Sequence, residues 1–168
     1  MRTESKLIAL VAVVAIAAGG AFAVWQNGDR PRASFVALSG KNFTVADLRG
    51  KVVLVNFWAT SCVPCVAEMP KLVDAWRQYA PRGFETVAVA MSYDHPNAVA
   101  EFAQRHALPF RVALDAEGAV AKAFGHVSVT PTTYLLDRQG RIVTRYVGEP
   151  NWTDFRVRVE RALAEQPS

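Results

Sequence analysis

Residues 51–70, which read KVVLVNFWATSCVPCVAEMP, decide the fold predicted for this chain. The run from Lys51 to Trp58 is rich in valine and aromatic residues, which predicts a buried central β-strand. From Cys62 onward the apolar residues recur at spacings of three and four, which predicts a helix reaching about Tyr79. Pro64 fits the first turn of that helix, where a missing backbone N–H costs little. The two cysteines therefore stand where a buried strand ends and a helix begins.

The remaining sequence alternates short strands with short helices. Strands are predicted at 34–38, 84–91, 111–114, 132–136 and 141–147, and helices at 97–106, 119–124 and 152–165. Asp137 to Gly140 form a turn that joins the last two strands into a hairpin. Early βα alternation followed by a terminal ββα unit predicts an α/β fold with helices packed on a central sheet.

Composition limits the functions that the chain can have. Its 168 residues are 51% hydrophobic with a net charge of +4. The sequence has no cluster of five or more Lys and Arg residues, which argues against a nucleic-acid-binding surface. Two cysteines are too few for a disulfide framework or a four-ligand zinc site, and none of the three histidines has metal-ligand spacing to them. We therefore expect no bound metal and no cofactor, only a redox-active disulfide.

The N-terminal segment is expected to send the domain out of the cytoplasm. Arg2 and Lys6 precede an uncharged stretch at 7–25, whose 19 residues approach the length of a transmembrane helix. The predicted organisation is an anchor or signal segment at 1–25, a polar linker at 26–33 and a domain at 34–168. A cleaved signal peptide is the alternative, because Ala21-Phe22-Ala23 fits a small-x-small cleavage site. Both alternatives export the domain.

The spacing of Cys62 and Cys65 predicts thiol–disulfide chemistry. At the start of a helix, free N–H groups and the positive end of the dipole stabilise a Cys62 thiolate. Cys65 follows one turn later on the same face, close enough to form a disulfide with Cys62. The outer sulfur would attack a substrate disulfide and the inner one would resolve the mixed disulfide. An inert structural disulfide is the alternative, although a loop this short stabilises little.

Two motifs identify a family resemblance. NFWATSCVPC at 56–65, followed by EMP at 68–70, and VTPTTYLLD at 129–137 resemble the thioredoxin superfamily, specifically its TlpA/ResA-like branch of membrane-anchored reductases. The resemblance covers roughly 34 to 166 and implies a thioredoxin-like fold with a mixed sheet. It also implies a cis bond between Thr130 and Pro131, with both residues and Trp58 forming the substrate-binding site.

The resemblance further implies partners and a location. Family members reduce protein disulfides, for example in the maturation of cytochrome c or of oxidase copper sites. Electrons would come from a membrane thiol transporter. The chain would be a single-pass protein of the bacterial inner membrane, with the domain facing the periplasm or the cell exterior.

Three positions near the cysteines refine this interpretation. Asn56 stands where thioredoxins proper carry a buried aspartate, so that carboxylate is absent here. Glu68 lies one turn beyond Cys65 and is the natural substitute, with a raised pKa that would suit proton transfer. An exposed, inactive Glu68 is the alternative. Ser61 replaces the tryptophan usual in the family, which opens the surface beside Cys62.

Rival functions fit the sequence less well. A peroxiredoxin needs Thr or Ser three residues before its reactive cysteine and a proline farther upstream, where this chain has Ala59 and Val55. A copper chaperone of this fold would need a CxxxC pair and a histidine ligand. A disulfide-forming oxidant usually has a histidine between the cysteines, whereas the uncharged Val63-Pro64 pair favours a reductant.

Overall fold

The computed structural model describes residues 30–165. The predicted anchor at 1–25, residues 26–29 of the predicted linker and the last three residues lie outside the described residues. The domain belongs to a compact unit that begins at Pro31. Within the part of the chain that the structure describes, no helix is both long and apolar enough to cross a membrane.

The described residues contain seven strands and four α-helices. The strands are β1 (Ser34–Ala37), β2 (Asn42–Thr44), β3 (Val52–Trp58), β4 (Phe84–Ala90), β5 (Arg111–Leu114), β6 (Thr132–Leu136) and β7 (Ile142–Val147). The helices are α1 (Val63–Tyr79), α2 (Pro96–Arg105), α3 (Ala119–Ala123) and α4 (Trp152–Ala164). Pro70 lies inside α1, which nevertheless continues to Tyr79.

All seven strands form one mixed sheet in the order β2-β1-β5-β4-β3-β6-β7. Strands β3, β4 and β5 are parallel, and the other pairs are antiparallel. This arrangement confirms the predicted thioredoxin-like α/β fold with a central mixed sheet. The pairing of β1 with β5 was not predicted, because their sequence patterns give no sign of a contact so far apart in the chain.

Apolar cores cover both faces of the sheet, which explains why β3 is buried at every position. Leu54 and Trp58 point into the core that also contains residues of α1, α2 and α4. Val55 and Phe57 point into the opposite core, which contains α3. Because side chains alternate along a strand, Asn56 faces the same side as Leu54 and Trp58.

The sheet brings three segments to one edge. Trp58 pairs with Ala90 at the ends of the parallel strands β3 and β4, and Phe57 pairs with Thr132 at the start of β6. Residues 59–66, 91–95 and 126–131 therefore leave or approach the sheet on the same side. We call this side, defined by those three segments, the cysteine edge.

The predicted hairpin of β6 and β7 is confirmed. Its turn is held by Asp137, whose Oδ1 accepts hydrogen bonds from the backbone N–H groups of Gln139 and Arg141, both at 2.9 Å. Gly140 has a φ of +78°, a conformation that favours glycine.

Candidate redox site

Cys62 and Cys65 form a disulfide at the start of α1. Cys62 is the N-cap of the helix, and its Sγ accepts a hydrogen bond from the backbone N–H of Cys65 at 3.3 Å. Cys62 is partly exposed, whereas Cys65 is completely buried. Of the two residues, only Cys62 is therefore open to a partner molecule at the protein surface. This difference agrees with the assignment of Cys62 as the attacking thiol.

Glu68 lies inside the protein, with only 1% of its surface exposed. The alternative of an exposed helix residue is therefore wrong. Its Oε1 accepts a hydrogen bond at 2.8 Å from Nδ2 of Asn56, which also donates to Oγ1 of Thr133 at 2.9 Å. The second carboxyl oxygen, Oε2, has no hydrogen-bond partner among the described residues. The sequence pointed to Glu68 but not to this bridge from α1 through β3 to β6.

Burial raises the pKa of Glu68 from 4.5 to about 7, because removal from water disfavours the charged carboxylate. The hydrogen bond from Asn56 opposes this rise in pKa. Glu149 adds to the rise by repulsion, and Lys71 reduces it by attraction. Glu68 can therefore gain or lose a proton near neutral pH.

The Thr130–Pro131 bond is cis, as the resemblance implied. Pro131 immediately precedes β6, and Thr132 pairs with Phe57 near the end of β3. The loop is held by hydrogen bonds from Thr132 Oγ1 to the Val129 carbonyl at 2.7 Å and from the Gly148 N–H to the Pro131 carbonyl at 2.8 Å. Thr130 is partly exposed and Pro131 is buried. The loop therefore lies at the cysteine edge.

The structure corrects the placement of Trp58 in the substrate-binding surface. Its side chain is completely buried, and its ring lies 5.0 Å from the ring of Phe102, centroid to centroid. The physical reason is that Trp58 is the last residue of a strand whose two faces are both covered. Its indole packs in the core beneath the edge and does not contact a docked protein.

Two contacts at the cysteine edge were missed from sequence. Asp94 accepts hydrogen bonds from the backbone N–H and the hydroxyl of Thr60, both at 2.6 Å, and thus joins the segment after β4 to the segment after β3. The hydroxyl of Tyr93 lies 3.3 Å from Oγ1 of Thr130. Parallel strands end at a common edge, so the adjacency of β3 and β4 would have suggested the first contact, whereas the second also depends on the pairing of β3 with β6.

Comparison with known proteins agrees with this geometry. The redoxin family profile matches residues 26–163. The chain belongs to the redoxin family. Within the thioredoxin superfamily it is a ResA-like member. It is 35% identical over 112 residues to the thiol–disulfide oxidoreductase ResA of Bacillus thuringiensis subsp. konkukian, a match covering 67% of this chain and 64% of that protein.

Other relatives match over more of their length. The chain is 33% identical to ResA of Geobacillus kaustophilus over 146 residues, covering 84% of this chain and 83% of the relative. A crystal structure of a thioredoxin-family thiol:disulfide interchange protein from Chlorobium tepidum has a TM-score of 0.72 and 31% identity, covering 81% of this chain and 96% of that one. These similarities support the thioredoxin-like fold of the redoxin-family domain.

Proposed function

We propose that this chain is a thiol–disulfide oxidoreductase that reduces disulfides of proteins outside the cytoplasm, with Cys62 and Cys65 as its redox centre. One observation carries the proposal. Cys62, at the helix N-terminus, is partly exposed, and its disulfide partner one turn later is completely buried. A pair arranged in this way can receive a substrate on one sulfur and release it with the other. The named activity of the ResA relatives supports the proposal.

The reaction starts from the reduced protein. The Cys62 thiolate attacks one sulfur of the substrate disulfide, the substrate S–S bond breaks, and the leaving thiolate takes up a proton. Cys65 then loses its proton and attacks Sγ of Cys62 in the mixed disulfide. The second substrate thiolate leaves and is protonated, and Cys62 and Cys65 remain as a disulfide. Two electrons have moved from the dithiol to the substrate.

Glu68 is proposed to accept the proton of Cys65 in the second step. A cysteine thiol has an ordinary pKa of about 8.5, so little thiolate forms unaided at neutral pH. Cys65 is buried and cannot pass its proton directly to bulk water. Glu68 is buried one turn further along the same helix with a pKa of about 7, close to the value that suits a general base at neutral pH.

The direction of electron flow is proposed to be reductive. No charged side chain stands between the cysteines, since Val63 and Pro64 fill those positions, and nothing there stabilises a free thiolate strongly enough to make an oxidant. Thr130 and Pro131 are proposed to hold an extended substrate segment beside Cys62. The apolar stretch at 7–25 is proposed to export the domain, as an anchor in the inner membrane, where a thiol transporter would supply electrons.

Single-cysteine variants of the full-length protein test the proposal. Cys65→Ser is expected to accumulate mixed disulfides with substrate proteins, because the first attack proceeds and the resolving thiol is absent. Cys62→Ser is the matched control and should accumulate none. Iodoacetamide should label Cys62 before Cys65 in the reduced protein. Trapping through Cys65 in the Cys62→Ser variant would reject the assignment of roles, and trapping by neither variant would reject the activity.

The proteins trapped by Cys65→Ser in the native membrane identify the clients. Apocytochrome c or an oxidase copper-site protein among them would place the chain in one of those maturation routes. Equilibration of the purified protein with glutathione tests the direction. A reduction potential near −270 mV, the approximate value for thioredoxin, is expected, and a value above about −150 mV would exclude a reductant.

A further inference from the structure

Lys71 pairs with Glu149, although another acid is nearer to it in the sequence. Lys71 follows Glu68 by three positions on α1, and a glutamate and a lysine at this spacing are neighbours that can form an ion pair. The Lys71 ammonium instead contacts Oε1 of Glu149, and Glu68 has no ion pair among the described residues. Lys71 is thus directed to the loop between β7 and α4 rather than to the buried carboxyl.

Trp152 supports this position of Lys71. Its indole N–H donates a hydrogen bond of 2.7 Å to Oε1 of Glu149, the same oxygen that pairs with Lys71. The Lys71 Nζ also lies 5.7 Å from the centroid of the Trp152 ring, within the range of a cation–π interaction. The ammonium therefore has two attractive partners, a carboxylate and an indole face, and both stand at the entry to α4.

The backbone that carries Glu149 is held on both sides. Before it, the N–H of Gly148 donates to the carbonyl of Pro131 at 2.8 Å. After it, Asn151 caps α4, and its Oδ1 accepts hydrogen bonds from two backbone N–H groups of the first turn, at 3.0 and 3.1 Å. Glu149 therefore presents its carboxylate to Lys71 from a position that backbone hydrogen bonds fix.

The carboxyl that Lys71 leaves without a charged partner is the one proposed to take the proton of Cys65. Glu68 is buried, and its Oε2 has no hydrogen-bond partner within the part of the chain that the structure describes. A lysine paired with it would stabilise the charged carboxylate, and a carboxylate stabilised in this way is a weaker base. An unpaired Glu68 is therefore the better proton acceptor.

Few charged groups act on Glu68. Lys71 lowers its pKa and Glu149 raises it, so both side chains lie within electrostatic range of the carboxyl. Asn56 contacts it from β3 as a neutral donor, and the two cysteines on α1 are held in the disulfide. The position of Lys71 is therefore the property of the surroundings that can most readily change the proton affinity of Glu68.

We propose that Glu149 and Trp152 are positioning residues that hold the Lys71 ammonium away from Glu68, so that the Glu68 carboxyl can take up the proton of Cys65. These roles rest on the proposed function, whose proton-transfer step they support. Neither residue touches a reacting atom. When Glu149 or the indole N–H is lost, Lys71 turns toward Glu68, pairs with its carboxylate and weakens it as a base.

Trp152→Phe tests the proposal without a change of charge. The variant keeps an aromatic ring but loses the N–H that binds Glu149, and its ring attracts a cation less strongly, so Lys71 is released in part. Carbon-13 NMR titration of the oxidised full-length protein should give a Glu68 midpoint about 0.3 pH unit lower than in the unmodified protein. Circular dichroism verifies that the variant is folded.

Trp76→Phe is the matched control for this titration. It also removes an indole N–H that donates to a glutamate, but that glutamate is Glu85, at 3.4 Å, far from the cysteine edge. The Glu68 midpoint in this variant should equal that of the unmodified protein.

Glu149→Gln and Lys71→Met, alone and combined, separate a displaced lysine from the simple loss of a charge. If only the charge of Glu149 matters, Glu149→Gln shifts the Glu68 midpoint equally with and without Lys71→Met, because independent effects add. A displaced Lys71 makes the shift larger where the lysine is present. We expect Glu149→Gln to lower the midpoint about twice as much in the otherwise unmodified protein as in the Lys71→Met variant.

The pH profile of the resolving step is the second readout. Stopped-flow decay of the mixed disulfide in Trp152→Phe should have its profile shifted to lower pH, in the same direction as the Glu68 titration. A purely structural role for Trp152 would change the rate without moving the profile, and that result would overturn the proposal.

The remaining outcomes separate the positioning role from the function that it serves. An unchanged Glu68 midpoint in Trp152→Phe, or equal shifts for Glu149→Gln with and without Lys71, overturns the positioning role and leaves the reductase activity standing. A shift in Trp76→Phe as large as that in Trp152→Phe overturns it too, since the effect would not depend on Glu149. The titration needs no substrate, so trapping by neither single-cysteine variant rejects the proposed function, and the catalytic purpose of the positioning with it, whatever the midpoints are.

Discussion

Glu68 and Glu85 are both buried glutamates, yet their surroundings are opposite. Glu85 lies on β4 far from the cysteine edge, and its carboxylate contacts Lys51 at 3.3 Å and Arg111 at 3.4 Å. It also accepts hydrogen bonds from the Trp76 indole at 3.4 Å and the Thr86 N–H at 3.1 Å. Within the described residues Glu68 has no ion pair, and its carboxyl accepts one hydrogen bond, from Asn56, while Oε2 has no hydrogen-bond partner. The charge of Glu85 is therefore compensated by two cations, whereas Glu68 can gain or lose a proton beside the cysteines.

The other buried acids resemble Glu85. Asp115 accepts hydrogen bonds from the backbone N–H groups of Val120 and Ala121, at the start of α3. Asp137 contacts the guanidinium of Arg141 at 2.6 Å and also holds the hairpin turn. Because burial of a poorly partnered carboxyl costs free energy, its presence under a redox pair indicates a chemical role. The difference between Glu68 and Glu85 is the one expected if Glu68 has the proposed role in proton transfer and Glu85 stabilises the fold.

Replacement of Glu68 by glutamine should give the largest effect. Glu68→Gln keeps the size and the hydrogen-bonding ability of the side chain but cannot accept a proton from Cys65. The resolving step should slow by about a hundredfold near pH 7, while the first attack by Cys62 changes little. Stopped-flow measurement of mixed-disulfide formation and decay separates the two steps.

Glu85→Gln is the matched control for this rate. It removes a buried carboxylate from the same domain, far from the cysteines, and should leave both steps within about twofold of the unmodified protein. Equal rates of resolution in Glu68→Gln and the unmodified protein would contradict a proton-transfer role for Glu68.

The pH dependence of stability should also set Glu68 apart. In the folded protein its pKa is about 7, against an ordinary value of 4.5, so the folded state holds this proton more tightly than the unfolded state. The contribution of Glu68 to the free energy of unfolding is fully favourable below pH 4.5 and is lost as the pH rises through about 7. The total loss is about 3 kcal/mol in the free energy of unfolding.

Urea unfolding of the oxidised protein measures this loss, because the thiols do not titrate in the disulfide. The stability of the unmodified protein minus that of Glu68→Gln should fall by about 3 kcal/mol between pH 4 and pH 8. A constant difference over this range would show that the carboxyl is not desolvated in the fold.

Glu85→Gln should lower the free energy of unfolding at pH 8, whereas Glu68→Gln should not. Loss of the carboxylate leaves Lys51 and Arg111 without their partner, and both cations are nearly half exposed, so water compensates in part. The expected loss is about 1 kcal/mol at pH 8, where Glu68→Gln should instead be neutral or stabilising. Thermal or urea unfolding at that pH gives both values, and the reverse order would contradict the comparison.

The smallest expected effects come from the charges near Glu68. Lys71 lowers the pKa of Glu68 and Glu149 raises it. Lys71→Met should therefore shift the Glu68 titration to higher pH, and Glu149→Gln should shift it to lower pH, each by less than about one unit because both groups are exposed and screened. Shifts of the same sign in the two variants would contradict these electrostatic contributions.

The sequence predicted the parts of the molecule that depend on local patterns. The positions of Cys62 and Cys65 followed from a strand-to-helix transition, and the hairpin followed from the turn at Asp137 to Gly140. Contacts between distant segments left no such pattern. Asn56 and Thr133 are 77 positions apart, so their shared hydrogen bond depends on the pairing of β3 with β6.

Burial was the other property that sequence predicted poorly. A helix position three residues after Cys65 is compatible with either the core or the surface, and the packing of α1 on β3 decided that Glu68 is buried. Trp58 was wrongly predicted to lie in the substrate-binding surface. It is covered by Phe102 of α2, which comes from a distant part of the chain. Tyr93 was not singled out, since a lone exposed aromatic residue has no sequence signature.

Carbon-13 NMR titration of Glu68 would show whether this buried carboxyl beside the cysteine pair holds a proton near neutral pH. The oxidised full-length protein is used, and the Glu68→Gln variant assigns the carboxyl signal. We expect a titration midpoint near pH 7, because burial raises the pKa of this carboxyl to about that value. A midpoint at or below the ordinary 4.5 would contradict it, because the carboxyl would then be charged throughout the working range.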